Sequence, residues 1–197
     1  MKPKQVTGSN LPVQLFKDKI LWIAWLDKNH LTSSGLWLRI AKKAGNVKSL
    51  SYAEALEVAL CYGWIDGQKK TFDETTWLQK FTPRRPRSIW STINREKAKE
   101  LIKKGLMKPA GLKAIERAKE NGRWEAAYDS QGKITLPDDL RVELDKNVKA
   151  KAFFATLNSV NRYAILFRLQ TAKKPETREK RLRQFIDMLK KNEKLYP

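Results

Sequence analysis

Three arginines lie close together in the stretch FTPRRPRSIWS, which covers residues 81–91. A guanidinium group presents a planar fork of N–H donors that can hold a phosphate or a carboxylate through two hydrogen bonds. Two prolines in this stretch fix their own φ angles and bias the residues before them toward extended backbone, so the arginines stand on a stiff segment. The sequence therefore predicts that Arg84, Arg85 and Arg87 bind an anionic ligand.

Three further residues complete the predicted ligand site: Trp64, Asp66 and Trp90. An indole ring can stack on a nucleic-acid base or on an apolar ligand. Trp90 also fits a position in the protein core, and that interpretation is favoured for it. The arginines could equally be structural, each paired with a nearby carboxylate, and the sequence alone leaves this choice open.

Carboxylates gather around a predicted hairpin at Asp66, Asp73 and Glu74. A pair of carboxylates in one cleft could perform general acid and base catalysis, so an enzyme of unknown type is the alternative function. Aspartate is also an ordinary turn residue because its side chain accepts hydrogen bonds from the local backbone. The turn interpretation is favoured, and whether the protein is an enzyme stays open, with a non-enzymatic function preferred.

The hairpin predicts a contact between the carboxylates and the arginines. With a turn centred near Asp73 and Glu74, Asp66 falls opposite about position 81, a few residues from the arginines. We therefore expect Asp66 to form an ion pair with Arg84, Arg85 or Arg87.

The chain contains one histidine, His30, and one cysteine, Cys61. A structural zinc site needs about four such ligands, so no zinc, no other metal and no cofactor is predicted. His30 stands where a predicted helix ends, which favours a capping role over that of a catalytic base. Cys61 lies in an apolar stretch and is predicted to be a small core residue rather than a reactive thiol. Neither a glycine-rich phosphate loop nor a serine or zinc hydrolase motif occurs in the sequence.

The charge of the chain is strongly positive, with 41 Lys and Arg against 21 Asp and Glu and a net charge of +20. Residues 81–124 alone contain 13 basic and 4 acidic residues. Such an excess indicates nucleic acid, an anionic lipid surface or a phosphorylated ligand as partner. No apolar run is long enough to span a bilayer, and MKPKQVTGSN lacks the apolar region of a signal peptide, so a cytoplasmic location is expected.

The elements that must position these residues belong to an α+β fold. Residues 1–130 are predicted to form a small, mostly antiparallel sheet with helices packed on it, in the order helix, strand, helix, hairpin and two further helices. Ser51 and Glu54 form a predicted capping box, Asn94 is the predicted cap of the helix after the arginines, and Pro109 begins the next helix. Residues 131–197 are predicted to be an all-helical domain that could dock a protein partner.

Four segments of the chain resemble one bacterial family. They are ALCYGWIDG (59–67), FTPRRPRSIWSTIN (81–94), KPAGLKAIERAKENGRWEAAY (108–128) and RYAILFRLQTAKKPETREKRLRQFIDML (162–189). This combination resembles the YdeI/OmpD-associated, or bacteriocin-protection, family, and the last segment resembles the helical domain of that name.

The resemblance implies little about mechanism, because it brings no set of catalytic residues to these positions. The family name implies protection against antimicrobial peptides. Many such peptides are cationic, and a protein with a charge of +20 repels them at long range. We therefore expect any protection to be indirect, through nucleic acid, an anionic lipid surface or a partner protein.

Overall fold

The computed structural model describes residues 5–6, 9–43 and 46–197. Most of the amino-terminal stretch predicted not to be a signal peptide lies outside these residues. The chain divides into two compact units, one formed by residues 1–89 and 94–125 and the other by residues 90–93 and 126–197. Within the described part, no helix is both long enough and apolar enough to cross a membrane.

The first unit contains a five-stranded sheet. Its strands are β1 (Gln5–Val6), β2 (Ser9–Gln14), β3 (Leu36–Ala41), β4 (Trp64–Thr71) and β5 (Thr76–Pro83), in the order β1-β2-β3-β5-β4. Only the pairing of β2 with β3 is parallel; the other neighbours are antiparallel. The predicted α+β fold with a mostly antiparallel sheet is confirmed. Neither β1 nor β2 was predicted, because β1 has only two residues and the stretch SNLPVQ of β2 has a proline and few residues that favour strands.

The hairpin of β4 and β5 has the predicted register over its first half. Asp66 pairs with Phe81, and Trp64 pairs with Pro83. A bulge between Asp66 and Lys69 then shifts the pairing by one residue, so that Lys69 stands opposite Gln79. The bulge lies between the part of the hairpin that leads to the arginines and the part that ends in the turn.

Two helices of the first unit were predicted from their apolar spacing and are present. Helix α1 (Lys19–Asn29) begins at Asp18, whose side chain accepts a hydrogen bond from the amide of Leu21. Helix α2 (Tyr52–Cys61) begins with the predicted capping box of Ser51 and Glu54. The core of this unit is rich in aromatic rings: Trp22 stacks on Trp25 at 5.4 Å, and other rings pack around the pair, namely Phe16, Trp64 and Phe81.

The next two helices are α3 (Thr92–Lys103) and α4 (Pro109–Glu120). The prediction that Asn94 caps α3 is wrong, because the helix starts two residues earlier and Asn94 is a buried residue inside it. Pro109 is the first residue of α4, as predicted, which is a favourable position because the amide there needs no partner.

Helices α2 and α4 approach each other closely at two glycines. Gly63 has a φ of +72°, and a Cβ there would lie 2.7 Å from the carbonyl oxygen of Ala110. A Cβ on Gly111 would overlap the carbonyl oxygen of Cys61. The amide of Lys108 donates to that same carbonyl at 3.1 Å. Only glycine fits at both positions, so the end of α2 and the start of α4 are locked together by backbone contacts.

The carboxyl-terminal unit contains four helices and a core of its own. The helices are α5 (Asp138–Asp145), α6 (Val148–Thr156), α7 (Ser159–Gln170) and α8 (Pro175–Lys190). Apolar residues from all four form one buried cluster, which includes Leu140, Phe154, Ile165 and Phe185. Arg178 donates two hydrogen bonds, at 2.6 and 2.8 Å, to the carboxylate of Asp139. The prediction of an all-helical carboxyl-terminal part is confirmed; its boundary as a separate domain at residue 131 stays a prediction.

The close approach at Gly111 gives a stability prediction. In most helices, replacing glycine with alanine stabilises the protein by about 1 kcal/mol. For Gly111→Ala we expect the opposite, a loss of about 1–3 kcal/mol, because the added methyl group must push α4 away from the Cys61 carbonyl. Gly132→Ala is the matched control, since a Cβ there has nothing within 4 Å. Urea unfolding of both variants measures the difference, and a stabilised Gly111→Ala protein would contradict the close approach.

Candidate functional site

Arg84, the first of the three arginines, is part of the folded framework. Its amide donates to the carbonyl of Gly63 at 2.9 Å, which extends the pairing between β4 and β5 past the end of the hairpin. Its side chain is buried, with 8% of its surface exposed, and Nη1 donates to the carbonyl of Ile89 at 3.2 Å. Arg84 therefore holds the returning chain in place, and its guanidinium group is turned into the protein.

Arg85 and Arg87 lie in a tight turn and are exposed. The amide of Ser88 donates to the carbonyl of Arg85 at 2.9 Å, and the amide of Arg85 donates to the Ser88 hydroxyl at 3.0 Å. Pro86 occupies the second position of this turn, where its fixed φ is favourable. Among the described residues, no carboxylate forms an ion pair with Arg85 or Arg87.

A further arginine, Arg123, reaches the same turn from the end of α4. Its Nη1 donates to the carbonyl of Pro86 at 3.2 Å. The helix end positions it, because Gly122 adopts a φ of +67° and the amides of Gly122 and Arg123 bond back to Lys119 and Ala118. We call residues 85–88 together with Arg123 the arginine turn. Arg123 was not predicted to belong to this site, because 37 positions separate it from Pro86 and no local pattern joins them.

The predicted ion pair between Asp66 and an arginine is wrong. The Asp66 carboxylate accepts a hydrogen bond from the hydroxyl of Tyr52 at 2.8 Å, and no ion pair joins it to an arginine in the described part of the chain. Asp66 faces α2, on the side of the sheet that it shares with its partner Phe81. The predicted pairing of Asp66 with position 81 is correct. However, side chains alternate between the two faces of a sheet, and the Asp66 side chain lies on the face that contacts α2.

Asp73 organises the hairpin turn, as the turn interpretation predicted. Its Oδ1 accepts hydrogen bonds from the amides and hydroxyls of Thr75 and Thr76, at 2.7 to 3.1 Å. Its Oδ2 forms an ion pair with Arg39 at 2.7 Å. The hydrogen bond from the Thr76 hydroxyl is the main cause that lowers the pKa of Asp73 to about 2. This carboxylate is ionised and fully engaged, which suits a structural role and not that of a general acid.

The other predicted residues have structural partners as well. Trp64 and Trp90 are buried, with 1% and 2% of their surface exposed, so Trp90 is a core residue as favoured. The indole of Trp64 donates to the carbonyl of His30 at 3.2 Å. His30 is the C-cap of α1, as predicted, and its Nδ1 lies 2.8 Å from the carbonyl of Leu26. A ligand-binding role for the two tryptophans stays a prediction.

Within the described residues, no three His, Cys, Asp or Glu side chains come together in a way that could hold a metal ion. Of the sequence-predicted site, the structure thus leaves Arg85 and Arg87 on the surface and adds Arg123 beside them. It turns the remaining predicted residues, Arg84, Asp66 and both tryptophans, toward internal partners.

Two families match the sequence. A family described as a domain of unknown function (DUF8412) matches residues 14–114, and the family described as "Bacteriocin-protection, YdeI or OmpD-Associated" matches residues 133–192. The arginines at 84–87 lie in the first match, and most of the carboxyl-terminal helical unit lies in the second. Neither a curated protein nor a solved structure matches the chain.

The hydrogen bonds of Asp73 predict a pH-dependent contribution to stability. A carboxyl group whose pKa falls from 3.8 to about 2 on folding stabilises the protein above pH 4, and this contribution is lost as the pH falls toward 2. Asp73→Asn should therefore lower the melting temperature at pH 7, with a difference from the wild type that shrinks on acidification and disappears near pH 2. Glu74→Gln, which removes a carboxylate from an exposed neighbour in the same turn, is the control and should lower the melting temperature at pH 7 less than Asp73→Asn does. An Asp73→Asn protein as stable as the wild type at pH 7 would contradict the role of the turn.

Proposed function

We propose that this chain, which belongs to the DUF8412 family and ends in a part that matches the bacteriocin-protection, YdeI or OmpD-associated family, binds phosphate-bearing anions through the arginine turn. In this proposal it is a non-enzymatic binding protein, and its polyanionic ligand is nucleic acid.

The meeting of three arginines at one turn is the observation that carries the proposal. Arg85 and Arg87 flank Pro86, and the Pro86 carbonyl accepts a hydrogen bond from Arg123. These arginines have N–H donors that no nearby acceptor among the described residues uses. Such donors are suited to phosphate oxygens, because one guanidinium group can donate two hydrogen bonds to one phosphate. In the described part of the chain none of these three arginines has an ion-pair partner, so a ligand would not have to displace a carboxylate.

The stiffness of the turn supports tight binding. The backbone is held by Pro86, by the bond between Ser88 and Arg85, and by the anchoring of Arg84 to Gly63. Binding therefore orders only the arginine side chains and leaves the backbone as it is. Because each immobilised side chain costs about 0.5–1.5 kcal/mol, an ordered backbone retains more of the interaction energy for affinity.

The surrounding charge favours a ligand with many phosphates. A net charge of +20 attracts polyanions at long range and accelerates their association. Because Trp64 and Trp90 are buried, neither offers an exposed ring on which a base could stack. We therefore expect recognition of the sugar-phosphate backbone without strong sequence preference.

The same charge bears on the family description. Direct capture of a cationic peptide would oppose the long-range repulsion of a chain with a charge of +20. If this protein protects against such peptides, an indirect route through a nucleic acid fits its electrostatics better. Docking of a protein partner on the carboxyl-terminal helices stays a separate prediction.

The contacts of Asp66 and Asp73 disfavour the alternative function, which is catalysis by the hairpin carboxylates. Asp73 is occupied by the turn and by Arg39, and Asp66 accepts from Tyr52. Glu74 is exposed at the tip of the hairpin. Asp66 and Asp73 thus have separate structural partners.

Binding of a single-stranded DNA oligonucleotide, measured by fluorescence anisotropy at several salt concentrations, tests the proposal. Each phosphate contact contributes a slope of about 0.7 to the plot of log affinity against log salt for a single strand. Removing two contacts in Arg85→Ala/Arg87→Ala should therefore weaken binding and reduce the slope by about 1.4. Arg123→Ala should weaken binding in the same direction with a smaller change in slope.

The matched control is Lys103→Ala/Lys104→Ala, which removes the same charge from an exposed part of the same unit. We expect the control to keep the wild-type slope. Equal slopes for the arginine and lysine double variants would show that binding depends only on the overall charge, and they would contradict the proposed site. Vesicles with anionic lipid form a second arm, and arginine-dependent binding to vesicles but not to DNA would assign the turn to a lipid surface and contradict the nucleic-acid ligand.

A further inference from the structure

The first unit contains a cavity of about 340 Å³ that lies apart from the arginine turn. It is bounded by α1, by α2 and by the segment that joins α3 to α4. Its walls are largely apolar and include Ile23, Val58, Leu101, Leu106 and Met107. An apolar recess of this kind in a folded domain is typical of a site for a small molecule.

Cys61 and Tyr62 add neutral surface to the same cavity. Burial raises the pKa of the Cys61 thiol, so the thiol is uncharged at neutral pH. The hydroxyl of Tyr62 donates to the carboxylate of Asp27 at 2.6 Å and therefore has its own partner within the fold. Cys61 and Tyr62 consequently contribute uncharged groups to the lining.

Charged groups occur at the cavity with an excess of positive charge. Lys19 and Lys108 line it, and Glu57 is the one acidic residue among the described lining residues. Glu57 lies 3.6 Å from Lys97, which offsets its negative charge. Lys108 is the N-cap of α4, which has no side-chain cap, so the positive end of that helix dipole adds to the two ammonium groups.

We propose that this cavity binds a small amphipathic anion, an alkyl chain with a single carboxylate that pairs with Lys19 and Lys108. The chain lies against Ile23, Val58 and Met107, and the head group meets the two ammonium groups. This site is separate from the proposed function, because it shares no residue with the arginine turn and needs no nucleic acid.

The volume limits the length of the ligand. Small-molecule sites usually have volumes of about 300–1,000 Å³, so this cavity stands near the lower end. A medium-length chain such as that of octanoate fits this volume better than a long-chain fatty acid. The apolar walls contribute affinity with each methylene group of the ligand that they remove from water.

Titration calorimetry with octanoate, octanol and octylamine, which share one chain and differ in head group, is the central test. We expect octanoate to bind at least about tenfold more tightly than octylamine, with octanol between them. Equal affinity for all three, or no octanoate binding at millimolar concentration, would overturn the proposal. Palmitate should bind more weakly than octanoate, and tighter binding of palmitate would overturn the size argument.

Variants locate the binding site on the protein. Lys19→Met/Lys108→Met should weaken octanoate binding about tenfold, because the carboxylate loses both of its ammonium partners. The matched control is Lys103→Met/Lys113→Met, which removes two exposed lysines that do not line the cavity and should keep the wild-type affinity. Equal losses in both double variants would contradict the assigned head-group site.

Filling the cavity supplies an independent test of where the chain lies. Ile23→Trp places a larger side chain in the apolar wall and should reduce octanoate binding at least about tenfold. Leu106→Trp, at an exposed position in the segment before α4, is a second filling variant that serves if Ile23→Trp does not fold. Wild-type octanoate affinity in a folded filling variant would overturn the proposal. DNA binding should be unchanged in both filling variants, and this result would distinguish the cavity from the arginine turn.

Discussion

The close approach of α2 to α4 is the constraint on which the rest of the first unit depends. Gly63 turns the chain out of α2 with a positive φ, and Gly111 lets α4 press its backbone against the carbonyl of Cys61. Any side chain at either glycine would separate the two helices. Since Lys108 also bonds to Cys61, the crossing is fixed by steric fit and by a hydrogen bond together.

The arginine turn and the cavity both depend on this crossing. The carbonyl of Gly63 accepts a hydrogen bond from the amide of Arg84. The glycine that turns the chain away from α2 therefore also positions the first residue of the arginine segment. Helix α4, fixed at its first turn by Gly111, carries Arg123 at its other end to the carbonyl of Pro86. The cavity lies where α2 and the segment before α4 meet, with Cys61 and Lys108 among its lining residues. The contact between the backbones of α2 and α4 thus positions both the cationic arginine turn and the largely apolar cavity.

Local signals in the sequence predicted most of the fold. Apolar spacing identified α1 and α2, the Ser51 and Glu54 pair identified a capping box, and Asp73 identified the turn of the hairpin. The register of Asp66 with Phe81 followed from that turn alone. The strand β2 was missed because its stability comes from pairing with β3 and not from its own composition. Asparagine is a residue type that favours the N-cap, which predicts a cap at Asn94, but the helix begins at Thr92.

The candidate site was harder to predict because it depends on contacts between distant parts of the chain. The sequence identified the arginine segment but could not separate Arg84, which bonds to internal carbonyls, from Arg85 and Arg87, which are exposed. Arg123 reaches the turn only through the length and the ending of α4, which no short motif encodes. The cavity likewise has no sequence signature, since its lining residues come from several helices and a connecting segment.

In the proposed function, the exposed arginines of the arginine turn contact the phosphates of the ligand. NMR spectra of the arginine Nε–Hε groups, recorded while a single-stranded oligonucleotide is added, test this claim residue by residue. We expect the signals of Arg85, Arg87 and Arg123 to shift progressively, whereas the signal of the buried Arg84 changes little. Shifts confined to arginines of the carboxyl-terminal helices, with unchanged signals from the arginine turn, would contradict it.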